Sequence, residues 1–242
     1  MLQTLRAAPE DLVTLKELQK LLLDEIIRTE AKIRELKTAL KLIKKQPENG
    51  PTTRRSSYLE GRIEGFRKSA FVWRCFGDAI AFLYMEKHAL KHTFLSTENT
   101  NAKQVAGFIG DKEGLAYELA VIDSALEHNV PALLVDLTNT IRHGDICLMG
   151  EPDPHLIEVK ASKTLDSRGK KQKRSLEKLR TFYETDKCED LRGYPELRRR
   201  SSEIAEKAYV DQLNECIIEA GINGWAVRQP ERGLHYIASL SG

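Results

Sequence analysis

Apolar residues recur at helical spacing from Pro9 to about Lys45, and neither Gly nor Pro interrupts that run before Gln46. Pro9-Glu10-Asp11 suits a helix start, so the pattern predicts one long helix, a rod of roughly 55 Å at ~1.5 Å per residue. Leu15, Leu18 and Leu22 set one heptad frame, and Ile33, Leu36, Leu40 and Ile43 set another. The eleven residues from Leu22 to Ile33 make a heptad plus four, a stutter that relaxes left-handed supercoiling. So thin a stripe needs a partner, which is a second copy of the helix, another protein, or the body of its own domain. A homodimer through a coiled coil is the favoured expectation.

Pro, Gly and Ser then concentrate in Gln46-Pro-Glu-Asn-Gly-Pro-Thr-Thr-Arg-Arg-Ser-Ser57, which reads as a linker. Tyr58 to His92 is a second helical region, with a break expected near Gly77 and with Phe71, Trp73, Phe76, Ile80 and Phe82 as packing bulk. His88 and His92 have i, i+4 spacing but no acidic third ligand in a recognisable motif, so solvent-exposed histidines are the simpler reading. Thr93 to Ile109 is polar and irregular. Gly114 to Leu126 is an amphipathic helix, with Leu115, Leu119, Ile122 and Leu126 on its buried face and Glu118 at the border of that face. Pro131 to Leu137 is apolar enough for a central strand. Two further short strands, His143–Met149 and His155–Ala161, flank the turn Gly150-Glu-Pro-Asp-Pro154 and read as a hairpin. A basic helix follows to about Glu184, then a polar connection through Pro195. A helix from about Ser202 to Ala220 is stopped by Gly221, and two terminal strands surround an Arg232-Gly233 turn. The expected division is 1–46 rod, 47–57 linker, 58–109 helical region and 110–242 α/β domain.

Chemistry concentrates in the hairpin. Alternation puts Glu158 and Lys160 on one face, and a register that sets Asp145 near Glu158 brings two carboxylates together, although the sequence leaves that register open. Carboxylates side by side repel, so a divalent cation between them is the usual reason for such a pair. Gly144-Asp145 followed by Glu158-Val159-Lys160 resembles the PD-(D/E)xK signature of restriction-endonuclease-like nucleases, over roughly residues 110 to 240. Pro152-Asp153 falls in the turn and does not take the place of the motif's Asp. The resemblance implies a mixed central sheet flanked by helices and cleavage of phosphodiester bonds with Mg²⁺ or Mn²⁺. It makes Asp145 and Glu158 metal ligands, the Val159 carbonyl a further ligand, and Lys160 the catalytic lysine. It also makes Glu118 a candidate for the metal, beside the bland reading of a Glu at the edge of a stripe with its head in water. Gln172 becomes a candidate for touching the lysine or the substrate.

Glu-x-Lys alone carries little, because Glu30-Ala-Lys32 and Glu35-Leu-Lys37 also fit inside the first helix. Only around Glu158 do apolar β-formers, an upstream Asp and a following basic helix coincide.

Charge sharpens the substrate class. The whole chain carries a formal net charge of +2, yet residues 160–180 hold Lys163, Arg168, Lys170, Lys171, Lys173 and Arg174 among nine basic residues, against only Asp166 and Glu177. A basic stripe beside a metal site is where a polyanion would lie, with salt-dependent phosphate contacts. DNA is the favoured substrate, and a role in defence against foreign DNA would suit a nuclease of this kind. RNA or single-stranded or structured DNA as substrate stays open. So does a non-cleaving, nucleic-acid-binding coiled-coil adaptor, which would have no need of the repelling pair. Four scattered cysteines without a CxxC pair point away from zinc clusters and disulfide frameworks and toward a reducing cytoplasm. No apolar run has the length of a signal core or a membrane span.

Overall fold

The structure is a computed structural model that describes residues 1–45, 51–104, 107–160, 167–200 and 207–239, the side chains of 51–53 and 168 apart. Its α/β architecture comprises seven α-helices and three small antiparallel sheets among those residues. Two compact units divide at Arg199/Arg200, so the N-terminal helix belongs to the same unit as the hairpin rather than to a separate rod.

Helix α1 (Leu2–Ala7) precedes the long helix α2 (Leu12–Lys44), whose N-cap Asp11 accepts the Thr14 amide at 3.0 Å. Helix α3 (Pro51–Tyr84) turns back and packs along α2. The stripe expected to bind a second subunit is thus covered within the chain: Leu15, Leu22 and Ile26 are fully buried in the main core, and Ile33 and Leu36 pack with Ile63. Each such side chain contributes ~1.5–3 kcal/mol by leaving water. The linker reading of 47–57 fails from Pro51 onward, because a proline suits the first position of a helix and no Gly or Pro follows until Gly61. Nor does α3 break at Gly77. A Cβ there would stand 1.9 Å from the Leu137 carbonyl oxygen, so the glycine lets α3 approach the main chain closely.

Helix α4 (Lys87–Phe94) carries His88 on the exposed side but half-buries His92, where Arg192 Nη1 donates to Nδ1 at 2.8 Å and the Phe182 ring packs edge-on. Burial, with Arg192 nearby, lowers the His92 pKa to about 4. Helix α5 (Leu115–Glu127) packs on strand β1 (Ala132–Leu134), which pairs with β2 (Ile146–Leu148), which pairs with β3 (His155–Ile157). Both pairings are antiparallel, so this sheet is not the mixed sheet that the resemblance implies. Its strands are also shorter than the apolar runs: β1 gives way at Val135 to a 3₁₀ turn, Val135–Leu137. Among the described residues only one edge of β1 is paired with a strand. At the other, the buried Gln19 amide from α2 donates to Ala132 O at 2.9 Å and accepts the Leu134 N–H at 3.0 Å, taking the place of a fourth strand.

The basic helix α6 (Ser167–Thr185) leads into a hairpin of β4 (Lys187–Leu191) and β5 (Tyr194–Arg198), where a polar connection is expected from the sequence. Phe182, Cys188 and Leu191 form its own small core. In the second unit, α7 (Val210–Asn223) runs through Gly221 and ends at Gly224, whose φ of +80° only glycine adopts readily. The part of the expected helix at 201–206 lies outside the described residues. Strands β6 (Trp225–Glu231) and β7 (Leu234–Ser239) complete that unit around the Arg232-Gly233 turn. All four cysteines are free, and no helix is long and apolar enough to cross a membrane among the described residues.

Candidate active site

Strand β2 enters the site through Gly144 and Asp145. Gly144 has φ +77°, and a Cβ there would lie 2.8 Å from the Ile157 carbonyl oxygen, so the residue before the acid must be glycine for two independent reasons. That close approach delivers Asp145 to the end of β3. Its amide donates to Ile157 O at 2.8 Å, and its carboxylate oxygen Oδ2 accepts the Val159 N–H at 2.9 Å. Asp145 is therefore fastened to the residues on either side of Glu158. The ladder itself ends at Ile146 opposite Ile157, so Glu158 and Lys160 sit just beyond β3 and not inside a strand.

Lys160 Nζ donates to Glu158 Oε1 at 2.5 Å and lies 3.4 Å from Gln172 Oε1 on the first turns of α6. Glu158 is mostly buried while Lys160 is exposed along a third of its side chain. The four residues Asp145, Glu158, Lys160 and Gln172 are thereby brought to one place.

Asp145 has a second set of neighbours that sequence patterns do not reveal. Lys112 Nζ stands 2.9 Å from each of three carboxylates: Glu118 on α5, Asp136 in the turn after β1, and Asp145. Glu118, only 2 % exposed, is thus inside the site rather than at the edge of a stripe with its head in water. Burial raises its pKa, against the pull of Lys112. Burial also works against the charge on Lys112, but the surrounding carboxylates outweigh it and hold the ammonium above the ordinary lysine value. Glu118 Oε2 is buried without a hydrogen-bond partner.

Asp136 carries a faint sequence signal, as the one charged residue in the run from Val130 to Thr138; Lys112 carries none. Among the described residues no group of three or more His, Cys, Asp or Glu side chains is arranged to hold a metal. The three carboxylates are spaced around an ammonium at 2.9 Å, wider than metal–oxygen bonds of about 2.0–2.6 Å. The donor set itself, carboxylate oxygens with one buried oxygen unsatisfied, is the chemistry that Mg²⁺ or Mn²⁺ takes.

Lys112, Asp136, Asp145, Glu158 and Gln172 line a cleft of about 850 Å³. Its lining includes the carboxylates of Asp136, Asp145 and Glu158, and Lys103, Arg142 and Lys171 contribute positive charge. The segment from Ser96 to Lys103 forms part of its wall and is tied to α6 through Thr97 Oγ1, which donates to Ser175 Oγ at 2.9 Å. His143 lies buried in the wall, with Nε2 hydrogen-bonded to Leu95 O at 2.8 Å. Since a carbonyl only accepts, Nε2 carries the proton and Nδ1 faces Lys103 Nζ at 3.4 Å. Burial, then Lys103, lowers its pKa to about 4.

Of the basic residues proposed to meet a polyanion, Lys171 lines the cleft, where it also pairs with Glu98 at 2.8 Å. Lys170, Lys173 and Arg174 are exposed on α6, with Lys173 3.8 Å from Glu177. Lys163 and the Arg168 side chain lie outside the described residues.

No family model matches this chain, and no curated protein or solved structure matches it either.

Proposed function

We propose that the protein is a metal-dependent phosphodiesterase of the PD-(D/E)xK type that cuts DNA. The observation that carries this reading is that Asp145, Glu158 and Gln172 line one cleft together with basic residues, with Lys160 held against Glu158 and Gln172. A structural pairing of strands would need none of these side chains to converge. Asp145 and Glu158 would hold a Mg²⁺ ion, with Glu118 and the Val159 carbonyl as further ligands. When bound, that ion supplies Lewis acidity at the phosphoryl group and acidifies water.

The chain's own groups have definable tasks. Asp145 is pre-oriented by the Val159 amide, which fixes one of its oxygens and leaves the other directed at Lys112. Lys160, held between Glu158 and Gln172, would as an ammonium donate hydrogen bonds that orient the attacking water and stabilise charge on a phosphate oxygen; only after giving up its own proton could it accept one from that water. Hydrolysis then forms a phosphorus–oxygen bond to water and breaks the one to the leaving sugar oxygen, which takes up a proton. Lys171 and the exposed cations of α6 would bind flanking phosphates of the strand and make association fall with salt.

Plasmid and single-stranded DNA incubated with the purified full chain in Mg²⁺, Mn²⁺ or EDTA test the proposal. Cleavage should require the metal and fall by at least about a hundredfold in Lys160→Ala. Metal-dependent cutting that survives unchanged in Asp145→Ala, Glu158→Ala and Lys160→Ala would refute the assignment. Salt-sensitive DNA binding without cutting would favour the adaptor reading.

A further inference from the structure

The carboxylate cluster already contains a cation. Glu118, Asp136 and Asp145 bring three carboxyl groups within 2.9 Å of the single ammonium of Lys112, with side chains only 2 %, 9 % and 14 % exposed. One ammonium cannot neutralise the group when all three are ionised. Carboxylates drawn to one point in a partly dry site repel strongly unless a cation sits among them. Lys112 prevents the worst of that cost but does not complete the job, because Glu118 Oε2 remains buried and unpartnered. An unsatisfied buried carboxylate oxygen next to a surplus of negative charge is an independent sign that the cluster is built for more positive charge than one lysine supplies.

The main chain at Lys112 is fixed while its side chain has somewhere to go. Its amide donates to Ile109 O at 3.0 Å, and the Ile109–Asp111 turn is fastened to α2, where the Gly110 N–H donates to Glu30 Oε2 at 3.2 Å and Asp111 pairs with Arg34. The Lys112 side chain is 29 % exposed and lines the cleft, so its flexible four-carbon stem can leave the carboxylates without moving the turn.

We infer that Lys112 is the resident counter-cation of this cluster, gathering Glu118, Asp136 and Asp145 until a divalent cation displaces it, and that Asp136 is thereby a further metal-binding carboxylate. The inference rests on the metal-dependent reading of the site. It assigns Lys112 a positioning role: it keeps the acids assembled in the metal-free protein and competes with the ion it stands in for.

Calorimetric titration of Mn²⁺ into the full chain, together with melting in EDTA and in Mn²⁺, tests this without relying on turnover. Lys112→Met should melt below the wild type in EDTA, recover in Mn²⁺, and bind Mn²⁺ about tenfold more tightly. Asp136→Asn should bind it about tenfold more weakly. If Lys112→Met does not fold in EDTA, Lys112→Arg keeps the charge in a bulkier, less easily displaced head and should weaken Mn²⁺ binding. Unchanged or weaker Mn²⁺ affinity in Lys112→Met, unchanged affinity in Lys112→Arg, or no Mn²⁺ binding by any form would overturn the inference.

DNA cleavage measured on the same proteins separates the two claims. Cutting by the wild type with unchanged affinity in Lys112→Met would defeat the counter-cation and leave the nuclease standing. Tighter Mn²⁺ binding in that variant with no cutting by any form would defeat the nuclease and leave the counter-cation.

Discussion

Replacing Gln19 by Met would remove the two hydrogen bonds that substitute for a strand at the free edge of β1 while nearly preserving side-chain volume. Gln19 is 6 % exposed, and both its partners are main-chain groups of fully buried residues, Ala132 O at 2.9 Å and Leu134 N at 3.0 Å. Methionine can satisfy neither. Leaving a buried donor or acceptor unpaired costs about 1–3 kcal/mol, so the two together should cost about 2–6 kcal/mol, well above the ~1 kcal/mol of an ordinary hydrogen bond. With a urea m-value of ~1–3 kcal/mol per molar, a 4 kcal/mol loss lowers the midpoint by about 2 M. Equilibrium unfolding followed by fluorescence in a Trp225→Phe background makes Trp73, which packs on the main core, the sole reporter of the first unit. A loss below about 1 kcal/mol at unchanged m-value would refute the reasoning, because it would mean that water or a shifted strand satisfies both groups. The perturbation bears on the site as well, since β1 runs directly into the turn that carries Asp136.

Acid should destabilise the first unit through His143. Its pKa is about 4 folded against 6.5 as an ordinary histidine, so between those values the unfolded chain binds a proton that the folded chain refuses, and stability falls as pH drops through that window by up to roughly 3 kcal/mol. His143→Gln should show a smaller loss of unfolding free energy between pH 6.5 and 4.5, with His92 accounting for part of what remains; an unchanged slope would remove His143 as the cause. Arg74→Met should cost about 3–5 kcal/mol by stranding the buried Glu30 carboxylate, and Arg74→Met combined with Glu30→Leu should recover most of that loss in thermal melts. In cleavage assays, Gln172→Ala should lower kcat with little change in KM if it acts by holding Lys160. Lys170→Ala and Arg174→Ala should instead raise KM, each reducing the salt slope by about 1.

Local pattern made some of this architecture legible. Asp145, Glu158 and Lys160 stand out because apolar alternation around a Gly- and Pro-rich turn marks a hairpin, and a hairpin brings its two ends together whatever the rest of the chain does. The stripe on α2 is equally plain, but heptads specify an apolar face and not its occupant, and α3 fills it from within the chain. Gly77 misleads in the same way: helix propensity sees a weak point, whereas the determinant is the Leu137 carbonyl sixty residues away. The β4–β5 hairpin hides because Lys187-Cys-Glu-Asp-Leu191 and Tyr194-Pro-Glu-Leu-Arg198 are mostly charged or polar. Its Arg192-Gly193 turn, with φ of +61° and +79°, has the same composition as the legible Arg232-Gly233 turn, whose flanks are more apolar. Lys112 was beyond reach because its meaning comes entirely from three carboxylates that arrive on other elements.

The long helical hairpin matters to the candidate site for a reason unrelated to oligomerisation. Glu30 of α2 is 1 % exposed and joins three things at once: Arg74 of α3 at 3.0 Å, the Gly110 amide at 3.2 Å, and through Arg74, whose Nε donates to Asp136 O at 3.0 Å, the turn after β1. One buried ion pair therefore sets the position of the turn preceding Lys112 and the turn carrying Asp136. A buried pair is weak support for stability, since an apolar replacement of the same shape often does as well. What such a pair does supply is direction: its hydrogen bonds fix the two turns relative to one another, where an apolar contact would let them slide. The site consequently draws on α2, α3, α5, the β1–β2–β3 sheet and α6, all within the unit from Met1 to Arg199. Removing the first 46 residues as a dispensable rod would take away Gln19 and Glu30 together, and with them both the edge of β1 and the anchor of the Lys112 turn.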